Sequence, residues 1–219
     1  MTARVGGLWA SRLGEGRRWW IMATSDSHVH WTRGGADFWP GEYSKTYVLA
    51  RQDYGDIMDG LRNGRIWVTT GDLITSLDLT ANSRGRQAAM GETLTLNRSG
   101  RNDVEIEIRF RPQLGTNANG DRPQVRRVDL IVGQITGLNP NLDADTNPAT
   151  KVVARFGPRD WHREGPQLRH PPHPAQRRER PLRPHPRHQH RRGRTAPHGP
   201  ENPWTDLWFY SNPVFVHVR

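Results

Sequence analysis

A chain of 219 residues is long enough to bury a sizeable core, as one domain or as two small ones. It has no cysteine, which excludes a disulfide framework and any thiolate metal site. The formal net charge is +10, but residues 163–200 hold ten Arg against two acids, so +8 of it sits in that segment and the rest of the chain is nearly neutral.

The first candidate element is RWWIMAT, residues 18–24, an aromatic and apolar run that reads as a mostly buried strand. A long loop rich in Gly, His and Trp follows, and TYVLA at 46–50 reads as a second strand. In DYGDIMDGLRNG, Tyr54, Ile57, Met58 and Leu61 fall at i, i+3, i+4 and i+7, which predicts a helix with one apolar face. Asp53 is placed to cap its start, and Asn63-Gly64 to close its end in a left-handed turn. RIWVTTG, from 65, reads as another strand.

From residue 75 the texture changes to short strands between turn clusters: LITSLDLTA, ETLTLN, VEIEIRFRP, VRRVDLIVG and TKVVARF. This is the pattern of an antiparallel sheet or sandwich. EIEIRFR places Ile106, Ile108 and Phe110 on one face and charges on the other, as a half-buried strand requires. PWTDLWFYSNPVFVHV, near the end, is again strand-like.

Between them, residues 163–200 combine ten Arg, six His and nine Pro with very few large apolar side chains. Proline removes backbone donors and little apolar surface is left to offset the entropy of ordering, so the expectation is disorder. Three readings compete. The segment could be a linker translated out of frame, since GC-rich DNA read in a wrong frame yields this composition. It could be a genuine disordered linker, or a basic arm meeting nucleic-acid phosphates.

The chemistry concentrates in IMATSDSHVH, residues 21–30. Asp26 and His28 are two apart at the end of a candidate strand, where α/β folds place catalytic groups. If the backbone stays extended, both project to one side. A carboxylate and an imidazole can then meet one divalent cation at about 2.0–2.2 Å. As a bare pattern D-x-H is weak, because Asp near His is more often a loop hydrogen bond.

GRRWWIMATSDSHVH, with the later DGLRNGRIWVTTGDLI and LWFYSNPVFV, resembles the C-terminal part of metal-dependent phosphoesterases of the polymerase and histidinol phosphatase (PHP) family. The resemblance covers about residues 12–161 and 201–219. It implies that Asp26 and His28 are ligands of a divalent metal (Mn, Zn or Fe), that phosphate esters are hydrolysed, and that the partner is a phosphorylated small molecule rather than nucleic acid. His30, Arg33 and Glu42 become candidate contacts to the substrate or to a ligand, with a packing role for Phe38, Trp39 and Pro40 and a structural role for Glu42 as the plainer alternative. Asp72 is better read as a turn cap than as a base.

The resemblance also implies an architecture: residues 1–74 as the last β/α units of a distorted barrel, incomplete, then an antiparallel, sandwich-like β domain over 75–162, the disordered segment 163–200, and a closing strand over 201–219. The family's early H-x-H motif and its other ligands have no counterpart upstream of Asp26, so the expectation is a truncated form with an incomplete site, which leaves open whether it acts as an enzyme. The competing expectation is a non-enzymatic β-rich module with a basic nucleic-acid arm. No apolar run approaches the roughly 20 residues of a membrane helix, nor is there a signal peptide, so a cytoplasmic location is expected.

Overall fold

A computed structural model describes residues 4–25, 38–98, 103–141, 143–165, 167–174 and 203–219. The described residues are mostly β-strand in antiparallel sheets, with two α-helices. Helix α1 spans Leu8–Gly14; strand β1 (Ser44–Val48), helix α2 (Tyr54–Arg62) and strand β2 (Ile66–Thr70) follow. The rest is β3 (Ile74–Ser83), β4 (Arg86–Ala89), β5 (Thr93–Leu96), β6 (Glu105–Pro112), β7 (Val128–Val132), β8 (Lys151–Phe156), β9 (His162–Glu164), β10 (Gln167–Pro174), β11 (Phe209–Ser211) and β12 (Phe215–Val218). Among the described residues no helix is long and apolar enough to cross a membrane.

Strand β2 forms the centre of a three-stranded sheet in the order β1-β2-β11, and all five of its residues are buried. IWVTT reads as a continuous run because neither face meets water. The main sheet has the order β4-β3-β6-β10-β9, and two-stranded ladders join β12 to β5 and β7 to β8. Strand β6 alternates as expected: Ile108 and Phe110 are buried, with Ile106 packed against the core beside them. The β5–β12 ladder is parallel, unlike the antiparallel pairing expected of this part of the chain.

One hydrophobic core runs across residue 75. Trp67, Leu73 and Ile74 on one side pack with Leu77, Phe110 and Val128 on the other. Each large side chain removed from water contributes about 1.5–3 kcal/mol before entropy is counted. Strands β1 and β2 flank α2 as the strands of a β/α unit would, yet they pair with each other and run antiparallel.

Three further expectations change. Residues 18–24 belong to no strand ladder. Helix α2 starts at the Asp53 cap, whose side chain accepts the Asp56 N–H, but its apolar face is only partly covered: Tyr54 is 79% exposed and Ile57 38%. The segment expected to be disordered from 163 begins within the main sheet, because β10 pairs with β6 as far as Pro174. The register of that pair slips between His170 and His173, where Pro171 and Pro172 have no N–H to give to a ladder.

Candidate functional site

The segment that leads to the S-D-S-H-V-H stretch is fastened by side chains. Arg18 donates to the Gly91 carbonyl (3.1 Å) and to Thr93 Oγ1 (2.7 Å), and its guanidinium lies over the Phe215 ring at 4.8 Å. Trp20 Nε1 donates to the Arg62 carbonyl at 2.8 Å, and the indole meets Phe215 edge-on at 6.1 Å. The Ile21 N–H goes to Asn212 Oδ1 at 2.8 Å. Thr46 Oγ1 accepts the Ala23 N–H (2.9 Å) and donates to the Ala23 carbonyl (2.8 Å), which ties the segment to β1. Buried backbone groups need partners; here Thr46 and Asn212 take the place of a neighbouring strand.

Thr24 and Ser25, at the end of this segment, line an open hollow of about 510 Å³ together with Pro40, Lys45, Thr46 and Tyr47. Lys45 and Tyr47 occupy alternate positions of β1, the i, i+2 spacing that puts two side chains on one face of a strand. The Tyr47 ring stacks flat on Trp67, with centroids 4.1 Å apart. Burial pushes the Tyr47 phenol above its ordinary pKa, with Lys45 opposing the shift and Asp72 adding to it, so the hydroxyl keeps its proton at neutral pH.

Lys45 Nζ donates to Asp72 Oδ1, with the two side chains 26% and 16% exposed. Asp72 stands in the left-handed region at φ 53°, directly after Gly71 at φ 55°. The turn is held by the Leu73 N–H to the Thr70 carbonyl (3.2 Å) and the Gly71 N–H to the Tyr43 carbonyl (2.7 Å). A side chain held in that region costs on the order of 1 kcal/mol, toward the low end for Asp. A partly exposed ion pair returns about 0–1 kcal/mol. The pair fixes where the ammonium sits.

Glu42 closes the turn that borders the hollow: its Oε2 accepts the Trp39 N–H at 3.0 Å, and its own N–H goes to the Trp39 carbonyl at 2.9 Å. Its carboxylate is thus engaged locally. Phe38 packs as expected, stacked on Tyr43 at 4.5 Å and edge-on to Trp204 at 5.5 Å, whereas Trp39 and Pro40, expected to pack beside it, are exposed. Tyr43 Oη donates to the Pro203 carbonyl at 2.9 Å, so this aromatic group fastens the loop to residues 203–204.

Asp26, His28, His30 and Arg33 lie outside the described residues. Among the described residues no group of three or more His, Asp or Glu is placed to hold a metal ion. The donors around the hollow are hydroxyls and an ammonium, which suit anionic oxygen; a carboxylate and an imidazole, as Asp26 and His28 carry, suit a divalent ion. Lys45 and Tyr47 were not singled out from the sequence, although their alternate spacing in SKTYV was a usable signal. Comparison with protein-family models, with curated proteins and with solved structures finds no match.

Proposed function

We propose that this chain carries part of a PHP-like, metal-dependent phosphoesterase site, with Asp26 and His28 as ligands of a divalent Mn, Zn or Fe ion and a phosphorylated small molecule as substrate. The observation that carries the reading is the position of Ser25. It directly precedes Asp26 in the sequence and lines a hollow that also bears Lys45 and Tyr47. A divalent ion in such a site polarises a phosphoryl oxygen and lowers the pKa of bound water. The chain's own contribution is to hold Thr24 and Ser25 against β1 through the Thr46–Ala23 pair and to keep an ammonium beside them.

In this reading residues 1–74 stand for the last β/α units of a distorted barrel, with the antiparallel β1–β2 pairing as the distortion, and the later strands form an accessory β domain. Hydrolytic metal sites take at least three protein ligands, and two are assigned here. His30 and Arg33 remain candidate contacts to substrate. The alternative of a basic nucleic-acid arm concerns a segment whose larger part, 175–200, lies outside the described residues.

The test is the metal content of the purified chain by inductively coupled plasma mass spectrometry, with hydrolysis of p-nitrophenyl phosphate measured in parallel. Wild type should retain a divalent ion, and Asp26→Ala and His28→Ala should each lose most of it. Equal metal content in all three proteins sinks the assignment.

A further inference from the structure

We infer that Lys45, held by Asp72 and assisted by the Tyr47 hydroxyl, forms an oxyanion-binding element of the hollow that grips the phosphoryl oxygens of a phosphate monoester. The inference deepens the phosphoesterase reading and rests on it. Three observations carry it. Lys45, Tyr47, Thr24 and Ser25 line one open hollow and are all hydrogen-bond donors, in a chain whose positive charge lies mostly elsewhere. An ammonium has three donors, and Asp72 accepts from one side of it, which leaves donors for an anion. Asp72 is itself fixed by the Gly71-Asp72 turn, closed by the Leu73 N–H to the Thr70 carbonyl at 3.2 Å, so the ammonium that it holds has a defined place.

The parts have separate tasks. Asp72 holds the ammonium in one place, which removes the entropy a free lysine would lose on binding. Because Asp72 also offsets the charge of Lys45, recognition depends on directed hydrogen bonds more than on net charge, and an anion with several acceptor oxygens is favoured. The Tyr47 phenol, protonated and fixed by its stack on Trp67, is a neutral donor that does not repel such an anion. Thr24 and Ser25 bring hydroxyls to the same hollow from the segment that leads to Asp26.

The test is isothermal titration of inorganic phosphate into the chelator-treated full chain, so that no bound metal contributes. Lys45→Gln should weaken phosphate binding roughly tenfold or more, the loss of a charge-assisted hydrogen bond. Lys45→Arg keeps the charge and should stay within about threefold of wild type. Tyr47→Phe preserves the ring on Trp67 and should weaken binding by a smaller factor than Lys45→Gln. Absence of saturable phosphate binding in wild type overturns the inference, as does an unchanged affinity in a folded Lys45→Gln protein. If Lys45→Gln does not fold, wild-type affinity in Tyr47→Phe overturns it. Metal loss in Asp26→Ala alongside unchanged phosphate affinity in Lys45→Gln rejects this element and leaves the phosphoesterase reading. Retained metal with weakened phosphate binding rejects that reading and leaves the anion site.

Discussion

The Asn212 side chain accepts the Ile21 backbone N–H at 2.8 Å, across 191 residues of sequence. Asn212 is fully buried, and its own N–H goes to the Ile66 carbonyl at 3.2 Å. One residue thus joins the Ser-Asn-Pro stretch near the end of the sequence, the fully buried strand β2 and the segment that leads to Asp26. Asn212→Ala leaves the Ile21 N–H without its acceptor and should lower stability by about 1–3 kcal/mol. Urea unfolding followed by tryptophan fluorescence checks this, and a midpoint equal to wild type would refute the anchoring role.

Thr46→Val keeps the volume and removes both hydrogen bonds to Ala23. At about 0.5–1.5 kcal/mol for each bond, the expected loss is roughly 1–3 kcal/mol. The more specific readout is hydrogen exchange, in which the Ala23 amide should lose protection while the amides of β2 keep theirs. Uniform loss across both would mean that Thr46 supports the whole sheet and not the segment.

Gly64 closes helix α2 at φ 72°. A Cβ there would stand 2.4 Å from the Trp20 ring. Gly64→Ala combines backbone strain with a steric clash, and about 1–3 kcal/mol of destabilisation is expected. The tryptophan emission should shift as Trp20 is displaced and its bond to the Arg62 carbonyl breaks. Unchanged emission and stability would show that the loop absorbs the methyl group.

Acid should weaken the fold through a small set of carboxylates. The Arg51 backbone N–H, with help from the Arg51 and Arg65 side chains, holds Asp56 below the ordinary aspartate pKa. Glu15 is held low by its bond to Arg17, and Glu164 by its bond to Arg169. A depressed folded-state pKa gives stability that is present above the unfolded value and lost as pH falls through the folded one. The urea midpoint should therefore be flat near neutrality and fall below about pH 4. In Asp56→Asn the fall should be shallower, and its midpoint should approach that of wild type at the acid end. An equally steep fall in both proteins would remove Asp56 from the set.

What the sequence shows and what it hides divide along the range of the contacts. Strand β6 was legible because Ile106, Ile108 and Phe110 repeat with the period of the pleat, and α2 because its cap and its closing glycine are local signals. The state of residues 18–24 was not, since their hydrogen bonds end on Thr46 and Asn212, and no periodicity in the segment reveals a distant side-chain partner. Composition argued against β10, yet Leu168 still pairs opposite Phe110, and the prolines disturb the ladder only where it slips. In the candidate site, Asp26 and His28 stand out by residue type. Lys45 offers only the weak signal of its alternate spacing with Tyr47, and its ion pair depends on the turn after β2, which brings Asp72 to it.

The parallel ladder of β12 on β5 bears on how the molecule is made. Strand β11 completes the sheet around β2, and the Arg219 N–H goes to the Leu96 carbonyl while the Arg98 N–H goes to the Arg219 carbonyl. Strand β2 therefore acquires its second neighbour, and β5 its ladder partner, only when residues 209–219 emerge from the ribosome. Until then the flanks of β2 and β5 are open to wrong partners, and pairings of such long sequence separation form slowly. Yield in the cell should depend on residues 209–219 far more than their small share of the sequence suggests.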